Sequence, residues 1–338
     1  MQVQENVSLK QYNTFGIEAA ARWFSSFTSQ HELQELLALQ QQKSTNRLIL
    51  GGGSNMLLTK DVDGIVMKNE VKGIEVVNED HEFIYLRSGA GENWHQLVQY
   101  AVQQNWGGLE NLSLIPGNVG ASPMQNIGAY GVEIKEVMNE LQALHIHDQQ
   151  LVTFSNADCA FGYRESVFKR KFKNEFVILN VTYKLRKQPV YHISYGAIQQ
   201  ELEKMGVKEL SVKAISDAVI QIRSSKLPDL KVTGNAGSFF KNPSVSIHQY
   251  QQLKQEFPEI VAYPNADGTF KLAAGWLIEQ CGWKGYRRGD AGCHAKQALV
   301  LVNYGSAAGS EIVALSKEIT ESVQKKFQVT LETEVNII

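Results

Sequence analysis

The chain has 338 residues, enough for two or three domains with their own cores. Apolar residues make up 43% and the formal net charge is −2, so no global field draws the chain to nucleic acid or anionic membrane, and an anionic ligand must be held by a few local cations. No apolar run reaches membrane-spanning length, and Met1-Gln2-Val3-Gln4-Glu5-Asn6 lacks the basic-then-apolar pattern of a secretory signal, so a cytoplasmic protein is expected. Cys159, Cys281 and Cys293 have neither metal-ligand spacing nor the even count of a disulfide framework, which suits a reducing compartment.

Ser29-Gln30-His31-Glu32 has the capping-box pattern. Leu33, Leu36, Leu37 and Leu39 follow at helical spacing and predict a helix over 30–42. Arg47-Leu48-Ile49-Leu50 reads as a short buried strand running into Gly51-Gly52-Gly53-Ser54-Asn55. Such a strand end offers several free backbone N–H groups, a nest for phosphate. No Gly-Lys-Ser/Thr follows, so it is not a Walker loop, and the spacing is not the Rossmann fingerprint. The plainer reading is a flexible turn, but three glycines cost more backbone entropy than a plain turn requires.

Gly64-Ile65-Val66-Met67 and Phe83-Ile84-Tyr85-Leu86-Arg87 predict strands, and a helix is expected over 93–104. The stretch 107–131 then has no regular pattern, and the apolar residues Leu109, Leu112, Leu114, Ile115, Val119, Ile127 and Tyr130 argue against disorder. A loop this long inside a compact domain is usually functional. It reads as backbone wrapped round a ligand with polar and flat apolar parts, such as a dinucleotide with an aromatic ring system. Leu141-Gln142-Ala143-Leu144-His145-Ile146-His147 alternates as a strand. His145 and His147 share a face but no third metal ligand follows, so a solvated face is the expectation. Phe161-Gly162-Tyr163-Arg164-Glu165 places an arginine after an aromatic turn, and 176–183 is a well-patterned strand.

Ser211 caps a predicted helix with Val212, Ile215, Val219 and Ile222 on one face, which carries Arg223 and Lys226 at its end before Pro228. Gly234-Asn235-Ala236-Gly237-Ser238-Phe239-Phe240-Lys241-Asn242-Pro243 follows. Ser238 is expected to project from a tight loop as a proton donor helped by Lys226; the alternative is a glycine turn feeding a buried Phe-Phe strand. Helices are expected over 246–257, 272–281 and 310–327, a strand over 295–303, and a last strand over 329–338. In that last strand Leu331, Thr333, Val335 and Ile337 would share one face, with Glu332, Glu334 and Asn336 on the other.

Leu50-Gly51-Gly52-Gly53-Ser54-Asn55, Ile115-Pro116-Gly117-Asn118-Val119-Gly120-Ala121 and Gln125-Asn126-Ile127-Gly128-Ala129-Tyr130-Gly131 resemble the flavin-binding segments of UDP-N-acetylenolpyruvoylglucosamine reductases. Each motif is weak alone; all of them in order, from Asn13-Thr14-Phe15-Gly16 to Val335, are specific. The resemblance implies an α+β chain with a vanillyl-alcohol oxidase-type FAD-binding fold. Two FAD subdomains, 1–67 and 68–222, would precede an α+β substrate-binding domain, 223–338. It implies noncovalent FAD, with NADPH as hydride donor. The FAD would be held by Gly51, Gly52, Gly53, Ser54, Asn55, Pro116, Gly117, Asn118, Val119, Gly120, Gln125, Asn126, Ile127, Gly128, Ala129 and Arg223, its pyrophosphate on 51–55 and 116–120.

The same resemblance assigns catalysis to Arg164, Glu334 and Ser238. Arg164 grips the substrate carboxylate, Glu334 (chosen over Glu332 by the Leu-x-x-Glu-Val pattern) helps it accept charge, and Ser238 gives a proton. Glu334 is expected to have a raised pKa, since only its protonated form helps. Tyr163, Tyr195, Lys226, Asn242, Tyr263 and Gln297 would bind the UDP-sugar. Tyr195 in Ser-Tyr-Gly marks the longer, tyrosine-loop type of the family. Asn336 departs from the arginine often found there. The chain would be a monomer without metal, working in peptidoglycan synthesis by ping-pong kinetics. A flavin oxidase of the same fold would want an oxygen-accessible flavin and often a linking histidine, which 51–55 does not offer. A nucleotide-binding protein without activity would not need Ser238, Arg164 and Glu334 together.

Overall fold

The computed structural model describes residues 2–195 and 197–338. In chain order the helices are α1 (Gln30–Gln42), α2 (Trp94–Gln103), α3 (Ile198–Lys204), α4 (Val212–Lys226), α5 (Ile247–Glu256), α6 (Ala274–Gln280) and α7 (Gly309–Phe327). The chain forms two compact units, neither contiguous in sequence. The first gathers the segment up to Val7, Ala21–Gly52 and Val62–Ser225; the second gathers Ser8–Ala20, Gly53–Asp61 and Lys226–Ile338.

Two large sheets build most of the first unit. In one, strands Ala20–Phe27 and Asn46–Leu50 both pair in parallel with a central Val62–Asn69, twice the length the sequence pattern suggests. Helix α1 connects the two flanking strands Ala20–Phe27 and Asn46–Leu50. Its N-cap is Ser29, whose hydroxyl accepts from the Glu32 N–H. The capping box is incomplete, because the Glu32 carboxylate reaches the Thr28 N–H and hydroxyl. Leu33, Leu36 and Leu37 bury one face of α1 against Phe27, Ile65 and Met67.

The other sheet is antiparallel, in the order Leu151–Ser155, Met138–His145, Phe176–Arg186, Phe83–Gly89, Ile74–Glu79. Its core face carries Leu141, Val181, Tyr183, Leu185 and Leu86, packed against Trp94, Leu97, Val98 and Ala101 of α2. Asn93 caps α2 by accepting from the Gln96 N–H. Ser211 caps α4, which packs on α3 through Ile215, Val219 and Ile222.

In the second unit, strands Gly234–Ser238, Val300–Asn303, Ala291–Cys293 and Arg287–Arg288 form an antiparallel sheet. Residues 295–299 do not join it. The Gln297 carbonyl accepts from the Val300 N–H and closes a turn there. Helix α7 buries Ile312, Leu315, Ile319, Val323 and Phe327, an i, i+3, i+4 stripe. The last strand is interrupted. Thr333 bridges Phe240, the chain bends at Val335, and only Asn336–Ile337 continues as a strand, parallel to Met56–Leu57. The bend carries Ile337 out of the apolar face, so it is 45% exposed while Leu331 and Val335 are buried.

Candidate functional site

In the first unit the glycine motifs come together. A Cβ on Gly52 would lie 2.8 Å from Asn118 Oδ1 and 2.9 Å from Gly117 Cα, so turns 65 residues apart in the chain approach backbone to backbone. The second turn is fastened to the segment that follows strand Phe83–Gly89. Val119 N–H donates to Glu92, Gly120 N–H to Ala90, and Asn118 Nδ2 to Gly91, each at a carbonyl. A cleft of about 540 Å³ opens beside this meeting point, lined by Arg47, Gly51, Asn118, Gly120, Phe172 and Phe176 among others. Its flat aromatic walls and exposed peptide edges suit an elongated molecule with ring and phosphate parts.

The long loop is rigidly held. Trp94 donates its backbone N–H to Gly117 O and its indole N–H to Leu112 O, so the first residue of α2 ties both arms of the loop. Ser122 and the buried Tyr183 hydroxyl bond at 2.7 Å, and Ser166 donates to Met124 O. Asn126 is buried; its amide donates to Glu133 Oε2 and Gly162 O, and its Oδ1 accepts from Lys135 N–H. That side chain is committed to the loop's own fold, leaving backbone as its route to a ligand.

Bulky residues in the left-handed region cluster here: Leu114 (φ 58°), Tyr130 (φ 51°) and Arg164 (φ 52°). Each costs about 1–2 kcal/mol for a side chain of this kind and persists only where neighbours fix it. Arg164 Nη2 donates to Gly128 O at 2.7 Å, bringing the predicted carboxylate-binding arginine onto the third glycine motif. Arg223, at the end of α4, donates from Nε to Leu114 O. Burial lowers the Arg223 pKa from its usual value, the Tyr130 hydroxyl opposes that, and the charge of Arg164 adds to it. Two guanidiniums that repel each other favour an anion beside them. Tyr195 packs its Cβ against Gly131, where an added Cβ would come within 3.0 Å. Tyr163 stacks beneath the Arg164 guanidinium at 5.5 Å.

The second unit carries the other half of the predicted set. Ser238 ends a strand rather than sitting in a loop. Gly237 is left-handed (φ 72°) and the register against Val300–Asn303 shifts between Asn235 and Ser238, so a bulge turns the serine. Phe239 and Phe240 behind it are buried, as the plainer sequence reading expected of the aromatics. Glu334 runs beside this strand end, its N–H donating to Phe239 O at 2.8 Å. Asn55 Nδ2 donates to Glu334 O, and both the backbone N–H and side-chain amide of Asn336 donate to Asn55 O. Thus Ser238, Glu334 and the end of the first glycine loop are neighbours. Glu332 instead pairs with Lys241 at 3.2 Å, with a largely exposed side chain.

Asn242 Oδ1 accepts from Ala274 N–H at the start of α6, leaving its Nδ2 for a ligand. Gln297 lies in the turn before Val300–Asn303 and Tyr263 is 42% exposed on strand Ala262–Pro264. Lys226 is exposed at the end of α4. Among the described residues no group of His, Cys, Asp and Glu is arranged to hold a metal, and no helix is long and apolar enough to cross a membrane. His145 instead contacts Asp148 at 2.7 Å. Sequence reasoning missed Arg47, Phe172 and Phe176 in the cleft wall, and His95 behind Leu114. The aromatics carry no local signal, whereas Asn93-Trp94-His95 at a helix start offered one.

A family model described as FAD binding domain matches residues 24–154, and one described as UDP-N-acetylenolpyruvoylglucosamine reductase, C-terminal domain, matches 228–338. The chain is 51% identical to UDP-N-acetylenolpyruvoylglucosamine reductase of Flavobacterium johnsoniae, covering 100% of both chains. It is 50% identical to that of Pseudomonas putida, covering 100% and 99%. Its fold is that of the crystal structure of the Thermus caldophilus reductase, with a TM-score of 0.70 at 24% identity over 100% of this chain and 99% of that one.

Proposed function

The chain belongs to the UDP-N-acetylenolpyruvoylglucosamine reductase family, and from that premise we propose that it reduces the enolpyruvyl group of UDP-N-acetylglucosamine enolpyruvate to UDP-N-acetylmuramate with NADPH, in peptidoglycan synthesis. The observation that carries the reading is the meeting of Gly52 with Gly117 and Asn118 beside the aromatic-walled cleft. A cradle that any side chain would fill, with peptide N–H groups and two repelling guanidiniums nearby, fits FAD. Residues 51–55 and 116–120 would hold its pyrophosphate, the 125–129 backbone its ring system, and Arg223 an electron-rich edge. When bound, FAD supplies the hydride chemistry between NADPH and the sugar nucleotide.

The protein's own task follows from the substrate. A vinyl ether accepts hydride poorly, because its oxygen feeds electrons into the double bond. The adjacent carboxylate must therefore take up charge. Arg164 grips that carboxylate, a protonated Glu334 shares the load, and Ser238 Oγ gives a proton to the carbon bearing the ether oxygen. Tyr163, Tyr195, Lys226, Asn242, Tyr263 and Gln297 hold the diphosphate and sugar. The enzyme works as a cytoplasmic monomer.

The test is a visible spectrum taken anaerobically, first with NADPH and then with the enolpyruvyl sugar nucleotide. The expected result is a yellow protein that bleaches and recovers its colour. A protein that bleaches and stays pale would reject the substrate; one that takes up no FAD would reject the cofactor.

A further inference from the structure

Three elements meet behind Arg223. His95, in the first turn of α2, accepts the Leu114 N–H on Nδ1 at 3.0 Å. The carbonyl of the same residue accepts Arg223 Nε at 3.3 Å. Leu114 is left-handed, a conformation its side chain disfavours, so both of its peptide groups are needed to hold it. One turn along α2, Gln99 Nε2 donates to Ser216 Oγ of α4, which bonds the buried Ser113 hydroxyl at 2.8 Å. The residue before Leu114 is thereby tied to the same two helices, and Leu114 itself is held by His95 at its N–H and by Arg223 at its carbonyl, the two peptide planes that meet at its Cα.

We propose that His95 is a positioning residue for Arg223: by accepting the Leu114 N–H it pins one flank of this left-handed residue, whose own carbonyl, on the other flank, aims the guanidinium at the cofactor. The inference rests on Arg223 contacting FAD, as argued above. Only the neutral ring can accept at Nδ1, since both nitrogens of imidazolium are donors. Burial, with the Arg223 charge beside it, lowers the pKa of His95 and keeps the ring neutral near pH 7. The charged and titratable groups around it are Arg223 from α4 and, beyond Arg223, Tyr130 and Arg164 from the loops. The Arg223 charge, like burial, opposes imidazolium. Acid must therefore break this hydrogen bond as the ring gains its proton.

The test compares His95→Asn, whose Oδ1 falls near the place of Nδ1 and cannot titrate, with His95→Leu, which keeps bulk but no acceptor. FAD affinity is measured by flavin fluorescence from pH 5 to 8, with melting temperature alongside. His95→Leu should bind FAD at least 10-fold more weakly at pH 7.5 while melting within a few degrees of wild type. His95→Asn should stay within about 3-fold and lack the acid-side weakening expected of wild type. Arg223→Gln should weaken FAD as His95→Leu does, and the double variant should be little worse than either single one. Normal affinity in His95→Leu, or equal damage in both His95 variants, overturns the proposal while leaving Arg223 in place. Unchanged affinity in Arg223→Gln overturns both assignments, and a wild type that binds no FAD overturns the cofactor reading with them.

Discussion

Ser238 follows a left-handed glycine, with two buried phenylalanines behind it and the backbone of Glu334 hydrogen-bonded to the next residue. A hydroxyl so fixed can be offered to one substrate atom without a search through rotamers and loop states. Ser238→Ala should leave flavin bleaching by NADPH intact and slow reoxidation by the enolpyruvyl substrate about 100- to 10,000-fold, the usual range for a lost general acid. Stopped-flow traces of the two half-reactions check this; equal rates in both would remove the acid role from Ser238. A second prediction concerns Glu110, which is 1% exposed. Burial pushes its carboxyl above the ordinary range, against the hydrogen bond it accepts from Gly108 N–H. The folded state thus holds the proton more tightly than the unfolded one. The stability this gives is complete below the unfolded pKa of about 4.3 and is lost as pH rises through the folded value. Glu110→Gln keeps an acceptor without the charge, so its melting temperature should fall less between pH 4.5 and 7.5 than that of wild type. Parallel slopes in thermal melts would contradict it.

Among elements, the contact of the two glycine turns offers the sharpest test. Gly52→Ala puts a methyl within 3.0 Å of Gly117 Cα and Asn118 Oδ1, and backbone cannot step aside cheaply. The variant should fold, with its helix content unchanged by circular dichroism, yet purify with less flavin and bind added FAD 10-fold or more weakly, about 1.4 kcal/mol. Full flavin content would mean that the turns do not cradle the cofactor. The elements that frame this contact were legible for simple reasons. Helices α1, α4 and α7 each announce themselves by a cap or a 3.6-residue apolar stripe, and both glycine motifs stand out by composition. What the chain order concealed was partnership. That Phe172 and Phe176 wall the same cleft as Arg47 follows from the packing of the first unit's two large sheets on each other, and no local pattern encodes it. The final strand misled for a related reason: alternation persists in the residues through Ile337, but the bend at Val335 comes from Thr333 bridging Phe240 and Asn336 binding Asn55.

At the scale of the whole chain, the second unit draws on three separate stretches. Phe15 packs edge-on against Phe239, Asn235 N–H donates to Thr14 O, Asn303 Nδ2 donates to Phe15 O, and Met56–Leu57 pairs with Asn336–Ile337. Residues 226–338 alone, though matched nearly whole by a family model, lack these partners. Expressed by itself, that fragment should show poor amide dispersion in two-dimensional NMR and sharpen when a peptide covering 8–20 and 53–61 is added; a well-dispersed spectrum of the fragment alone would refute the dependence.

The same interleaving sets an order of events on the ribosome. Phe15, Leu57 and Leu58 emerge early and are buried in the finished protein, yet the strand that pairs with Met56–Leu57 is Asn336–Ile337, some 280 residues later in synthesis. At about 5–20 residues per second, those apolar side chains wait for tens of seconds without their partners. The first unit can settle in that interval, because its segments all lie before Lys226. The second closes only once Asn336–Ile337 has been made, so the nascent chain carries a sticky, unmatched stretch through some 280 residues of synthesis and has reason to need a chaperone during that time.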